Sequence, residues 1–129
     1  MPKNKSKGSK FERELLQMFV ENSYRAVRVA GSGTMENSDC DLIAGKKGAK
    51  FCIECKSTRK NAIYISKEQI ENFLIFSEII DMKPVIALRF MREGWLFISP
   101  SDLKDSGKNF VISMEDAKKT GKKFQQFFE

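Results

Sequence analysis

The chain has 129 residues, 41% of them hydrophobic, and carries 23 Lys and Arg against 17 Asp and Glu, a formal net charge of +6. That length suits one domain around one core, no run of about 18 apolar residues is present to span a membrane, and the positive balance leans towards a polyanionic partner. Histidine is absent, which excludes Ser-His-Asp and Cys-His nucleophiles, imidazole bases and the usual zinc hydrolase sites; hydrolysis by this chain has to run on carboxylates, lysine and metal-bound water.

Residues 1–8 read as a flexible basic arm, with Lys3, Lys5 and Lys7 spaced by small polar residues. Such an arm is either a solvated tail or a phosphate-seeking one. No apolar signal core follows it, so a cytoplasmic protein is expected. Residues 9–129 are expected to form a single domain. Ser9-Lys10-Phe11-Glu12 opens a predicted helix to about Asn22, with Phe11, Leu15, Met18 and Phe19 on an i, i+4, i+7, i+8 stripe. Ser9 and Glu12 have capping-box spacing, in which Glu12 reaches back to the Ser9 amide; Arg13 and Glu14 read as helix-surface residues.

Tyr24 to Ala30 is a predicted strand alternating basic and apolar positions, imperfectly because Arg25 is in phase with Val27. Gly31-Ser32-Gly33 breaks it. The polar loop to Ser38 is either ordinary surface or a place where small residues let the backbone approach a phosphate.

Two strands joined by a turn come next. Asp39 to Gly45 carries a carboxylate on an apolar run, Lys46-Lys47-Gly48-Ala49 is a hairpin connection, and Lys50 to Lys56 ends in Glu54-Cys55-Lys56. Side chains alternate along a strand, so Glu54 and Lys56 share one face while Ile53 and Cys55 share the other. With Asp41 beside Glu54, two carboxylates and an ammonium converge, and carboxylates that close are costly unless a cation lies between them. Oxygen ligands of this kind suit Mg²⁺ or Mn²⁺. Cys52-x-x-Cys55 has a zinc-like spacing, but no second pair exists and alternation sends the two thiols to opposite faces, so Cys40, Cys52 and Cys55 read as small buried residues.

Ser57 to Asn61 is a basic connection and Ala62 to Ile65 a short extended piece. Ser66-Lys67-Glu68-Gln69 is a second capping box, opening a helix to about Asp81 whose Ile70, Phe73, Leu74, Phe76 and Ile80 form a broad stripe suited to packing on a sheet. Pro84 to Phe90 is a nearly continuous apolar strand, as when both faces are covered, and Gly94 to Ile98 pairs with it across a turn at residues 91–93. Phe110-Val111-Ile112 reads as a further short edge strand, followed by a short helix from Met114 to Thr120. Tail residues Phe124, Phe127 and Phe128 fall at i, i+3, i+4, which means docking onto the chain's own core or a subunit contact.

This order of helix, strand, acid-bearing strand, Glu-x-Lys strand, helix, strand, strand resembles the core of the restriction-endonuclease-like nucleases, whose signature is an acid, a gap, then Asp or Glu, any residue, and Lys. The fold so implied is α/β, a central mixed β-sheet flanked by helices, with Asp41, Glu54 and Lys56 at the signature positions. A wider match is carried by Phe11-Glu12-Arg13-Glu14-Leu15, Arg28-Val29-Ala30-Gly31-Ser32, Asp41-Leu42-Ile43-Ala44-Gly45, Cys52-Ile53-Glu54-Cys55-Lys56 and Gly94-Trp95-Leu96-Phe97-Ile98. Together these are similar to the archaeal Holliday junction resolvases.

That resemblance implies a crossover junction endonuclease that cuts four-way junction DNA as a homodimer in recombination and repair. It implies a catalytic set of Glu12, Ser32, Asp41, Glu54 and Lys56, with one or two Mg²⁺ ions, or Mn²⁺ as a substitute, held by Asp41, Glu54 and the carbonyl of Cys55 with Glu12 close by. The implied role for Glu12 competes with its capping role. Lys56 would orient the attacking water or offset charge in the transition state, and without the metal it would bridge to Glu54 or Asp41. Functional weight also falls on Arg13 and Arg28, and a DNA surface is expected from Lys5, Lys7, Arg13, Arg25, Arg28, Lys46, Lys47, Lys50, Arg59 and Lys60. The chain departs from the family in a longer loop between Ser32 and Asp41 and in having Glu36 and Asp39 near the expected acid, so Asp39 is an alternative to Asp41. Replication or recombination proteins are further candidate partners that the sequence does not identify. A nuclease of the same fold acting on other DNA, and a non-catalytic DNA-binding module, are the alternatives to junction resolution.

Overall fold

A computed structural model describes residues 2–29 and 39–128, with side chains from residue 8 onward. The chain begins with a helix, α1 (Pro2–Glu21), and a short strand, β1 (Arg25–Arg28). Then follow β2 (Leu42–Lys46), β3 (Ala49–Thr58), β4 (Ala62–Ser66), α2 (Lys67–Ile79), β5 (Lys83–Phe90) and β6 (Gly94–Ile98). A 3-10 turn at Pro100–Asp102 leads to β7 (Lys104–Ser106), β8 (Asn109–Ser113), α3 (Met114–Thr120) and α4 (Phe124–Phe128). Among the described residues no helix is long and apolar enough to cross a membrane.

Five strands form the main sheet in the order β1-β2-β3-β5-β6, and β4-β8-β7 form a smaller one. The main sheet is mixed. β3 and β5 run parallel while the other neighbours are antiparallel, because β4 and α2 intervene in the chain and return it in the same direction. The hairpin at Lys47-Gly48 closes as its glycine leads one to expect, with Gly48 at a φ of 85°. β5 is an interior strand, between β3 and β6, and Val85, Ile86, Ala87 and Leu88 are all fully buried, as its continuous apolar run requires.

Two apolar clusters lie on opposite faces of this sheet. One joins Ile70 and Phe73 of α2 and Ile63, Ile65 and Ile112 of the small sheet to Ile86 and Leu88; the other joins Leu15 and Phe19 of α1 and Phe124 and Phe128 of α4 to Val85, Ala87 and Phe97. Strand alternation delivers Cys40 and Cys52 to the first cluster and Cys55 to the edge of the second, and all three thiols are free. The tail phenylalanines therefore dock on their own core: the Phe19, Tyr24, Phe51, Phe97, Phe124 and Phe128 rings meet mostly edge to face, with centroids such as Phe19–Phe128 at 5.0 Å.

Several elements differ from expectation. α1 starts at Pro2, so helical backbone runs through the stretch read as an arm. Ser9 consequently lies inside the helix and cannot cap it. β8 is the middle strand of the small sheet rather than an edge, since β7, which the sequence did not announce, pairs on its other side. β1 presents Arg25 and Val27 outward and Ala26 and Arg28 inward, because Arg28 finds a carboxylate on α1. In α2 the buried face is Ile70, Phe73 and Ser77, narrower than the apolar stripe, and Leu74, Ile75 and Ile79 face out, Ile79 with 77% of its surface exposed.

Candidate active site

β3 outruns its neighbour. β2 begins at Leu42, opposite Ile53, whereas β3 continues to Thr58 with only β5 beside it. Main-chain bonds carry the register one step further, since the Asp41 amide donates to the Ile53 carbonyl and the Val29 amide to the Asp41 carbonyl, both at 2.9 Å. Asp41 is thereby set opposite Glu54, at the mouth of a fork. Past the fork the Cys55 N–H has no strand partner on the β2 side, and it donates to Asp41 Oδ2 at 2.8 Å. One carboxylate thus completes the sheet and faces the other.

Glu54 is 3% exposed, one of two buried polar or charged residues among those described. Gln69 Nε2, in the first turn of α2, donates to its Oε2 at 2.5 Å. Burial, then the charge of Asp41, push the Glu54 carboxyl well above the usual carboxylate range; Lys56 and its positive charge pull the other way. Asp41 is also raised, by burial first, against the lowering effect of the Cys55 N–H and of Lys56. Glu12 is raised by burial and by Asp41, and lowered by Arg28. Asp41 acts electrostatically on both Glu54 and Glu12. Three acids on three segments repel one another here, the condition a bound cation relieves.

Glu12 stands at the edge of this group, held by Arg28: Oε1 accepts from Nε at 3.2 Å and from Nη2 at 3.1 Å. Nη2 also donates to Ser9 Oγ at 3.1 Å. The capping bond expected between Glu12 and the Ser9 amide is replaced by this pair, because a mid-helix amide is already engaged. Among the described residues no three Asp, Glu or Cys side chains stand as a ready ligating cluster, Glu12 being turned onto Arg28. Two carboxylates and a strand carbonyl nonetheless fit a hard cation such as Mg²⁺, which keeps several waters and takes one or two carboxylates rather than a protein cage. Lys56 makes no direct ion pair among the described residues; the expected bridge to Glu54 or Asp41 is absent, and its charge acts on both through space.

A groove of about 570 Å³ opens beside Lys56, lined by Phe11, Ser57, Thr58, Arg59, Arg89 and Met91 among others. Arg89 is held there by Phe11, whose ring centre lies 4.4 Å from the guanidinium carbon, and by Glu14, whose Oε1 accepts from Arg89 Nε and Trp95 Nε1, both at 2.9 Å. Glu14, read as a surface residue, is therefore a clasp between α1 and the β5–β6 hairpin. Arg89 and Gln69 are the functional candidates that the sequence concealed: one sits in an apolar strand and the other in a capping pattern, and only folding brings either to the site.

The expected DNA-contacting residues divide. Arg59 and Lys60 are exposed just past the Glu-x-Lys end of β3, and Arg13 is exposed on α1. Lys46, Lys47 and Lys50, with Arg25 paired to Gly45, cluster at the hairpin end, roughly 13–20 Å from Glu54 along the strand. Lys46 stands over the Tyr24 ring at 4.5 Å. The side chains of Lys5 and Lys7, and Ser32 and Glu36 altogether, lie outside the described residues. Asp39 is half-buried ahead of the fork, and it is Asp41 that meets Glu54.

Comparison with known proteins agrees with this geometry. A family model described as archaeal Holliday junction resolvase (Hjc) matches residues 3–129. The chain is 45% identical over 106 residues to a protein named crossover junction endodeoxyribonuclease Hjc from Methanocaldococcus jannaschii, covering 82% of this chain and 75% of that one. It is 33% identical over 131 residues to the protein of the same name from Archaeoglobus fulgidus, 96% of each being covered. The solved structure of Archaeoglobus fulgidus Hjc, described as a Holliday junction resolvase from an archaeal hyperthermophile, superimposes with a TM-score of 0.83 at 28% identity over 95% of this chain and 99% of that one. The mixed sheet flanked by helices is thus the restriction-endonuclease-like fold.

Proposed function

Because this chain belongs to the archaeal Holliday junction resolvase family, we propose that it is a crossover junction endodeoxyribonuclease that acts on four-way junction DNA with Mg²⁺, as a homodimer, in the cytoplasm. The observation that carries the chemistry is the fork between β2 and β3, where Asp41 and Glu54 face each other with Lys56 two residues on along the Glu54 face. Nucleases of this family are metal-dependent, and the choice of Mg²⁺ rests on the all-oxygen donor set.

Asp41, Glu54 and the carbonyl of Cys55 would hold the ion, with Glu12 adjoining. When bound, the ion supplies positive charge to the scissile phosphate and makes water a competent nucleophile near neutral pH. The chain's own groups do the rest. Asp41 keeps Cys55 in register through its amide, so the Cys55 carbonyl has a fixed direction. Lys56 offsets charge growing on the phosphate and orients the attacking water. Ser32 and Arg13 are assigned to the substrate side, Arg28 holds Glu12 ready, and Arg59 and Lys60 continue the basic path beyond Lys56. Such contacts position a backbone without reading bases, so junction selectivity resides in how two copies present their sites to opposed strands.

The outward row of Leu74, Ile75 and Ile79 on α2 is an apolar face that self-association would cover. Sedimentation should show a dimer that Ile79→Asp converts to monomer; a monomeric wild type at cleavage concentrations refutes the homodimer. The activity is tested with a four-way junction and its component duplexes in Mg²⁺. Paired nicks confined to the junction are expected and should vanish in Glu54→Ala, while equal cutting of plain duplex rejects junction selectivity and undiminished cutting by the variant rejects the site.

A further inference from the structure

The N-terminus of α2 makes only half of the capping box its sequence spells. Ser66 Oγ accepts from the Gln69 amide at 3.1 Å, but Gln69 does not reach back to Ser66, a ladder residue of β4 paired with Asn109. Its side chain runs instead to Glu54 Oε2 at 2.5 Å. A carboxylate can only accept from an ordinary amide, so the nitrogen of Gln69 faces Glu54. The backbone of Gln69 is fixed by the cap and its side chain by Glu54, so each end of the residue is pinned.

We infer that Gln69 is a positioning residue for the metal-binding carboxylate, an inference resting on the assignment of Asp41 and Glu54 above. By taking one Glu54 oxygen it leaves the other for the cation and fixes the plane of the carboxylate relative to Asp41. Partners of this kind orient ligands, and their loss typically weakens metal affinity or activity about 10- to 100-fold. α2, capped by Ser66, thus sets its first turn against the one deeply buried carboxylate of β3.

The test uses Gln69→Met, which keeps length and helix preference but has no donor, and Gln69→Asn, whose amide is one methylene short. Mn²⁺ is titrated calorimetrically into each variant, wild type and Glu54→Ala, alongside junction affinity, single-turnover cleavage and thermal midpoints in EDTA. Both Gln69 variants should bind Mn²⁺ about 10- to 100-fold more weakly, cleave more slowly at a fixed Mn²⁺ concentration, recover as Mn²⁺ is raised, and hold junction DNA as wild type does. Wild-type Mn²⁺ affinity in both Gln69 variants, with uptake lost in Glu54→Ala, overturns the role of Gln69 alone. Uptake unchanged in Glu54→Ala overturns the metal site and the role of Gln69 together.

Discussion

Asp41 has two separable tasks, and two substitutions divide them. Asp41→Ala removes the acceptor of the Cys55 N–H, a 2.8 Å bond at the point where β3 loses its neighbour, and leaves a half-buried donor unpaired at a cost of about 1–3 kcal/mol. Asp41→Asn keeps an oxygen in that place and removes the charge. Both variants relieve the repulsion that Asp41 exerts on Glu54 and Glu12, so this term cancels in the comparison. In metal-free buffer the Asn variant should therefore be more stable than the Ala variant by about 2 kcal/mol, which for a chain of this size separates their thermal midpoints by roughly 6–10 °C. Cleavage behaves differently: a neutral amide is a poor ligand, and a loss of about 4 kcal/mol of transition-state stabilisation lowers the single-turnover rate roughly 10³-fold in both. Scanning calorimetry in EDTA and a junction cleavage assay in Mg²⁺ read the two effects independently. Equal midpoints for the two variants refute the sheet-completing bond, and near wild-type cutting by Asp41→Asn refutes the use of its charge.

Other outcomes follow from the same geometry. Glu12, Asp41 and Glu54 all have carboxyls raised in the fold by burial, so without metal they bind protons that the unfolded chain releases; stability is then greatest below the ordinary carboxylate range and falls as pH rises through their folded values. Midpoints measured in EDTA from pH 4 upward should show this decline, weaker in Glu54→Gln, and an identical slope in that variant would exclude Glu54 as a contributor. Arg28 and Glu12 are mostly covered, with side-chain exposures of 32% and 20%, and a double-mutant cycle on urea unfolding should return a coupling of about 1 kcal/mol; zero coupling would mean that the pair does not hold Glu12. Phe128→Ala opens a cavity among Phe19, Phe51, Phe97 and Phe124 and should cost about 3 kcal/mol, whereas a loss under about 1 kcal/mol would show that α4 is not part of the core. Junction affinity should fall steeply with salt, and Arg59→Ala and Lys60→Ala should each lower the salt slope by about one; slopes equal to wild type would place the DNA path elsewhere.

The sequence by itself determined the pieces whose signals are local. Alternation on β3 put Glu54 and Lys56 on one face and separated Cys52 from Cys55, the glycine of Lys47-Gly48 closed the hairpin that carries Asp41 towards Glu54, and the run from Pro84 to Phe90 announced a strand covered on both sides. Such features depend on residue spacing and backbone preference, which neighbours in the chain supply. Tertiary structure decided whatever depends on a partner distant in sequence. Glu12 and Gln69 both stood in capping patterns, yet Arg28 claimed one, 16 residues away, and Glu54 the other, 15 residues away: α1 extends past Ser9 and engages its amide, and a charge-assisted hydrogen bond away from bulk water is stronger than a neutral one. The outward turn of Val27 has the same origin: β1 buried Arg28 to reach Glu12 and so exposed its apolar neighbour. Spacing alone cannot say which of two available partners a side chain will take, since that choice is set by burial, and burial exists only once the sheet and its covering helices have assembled.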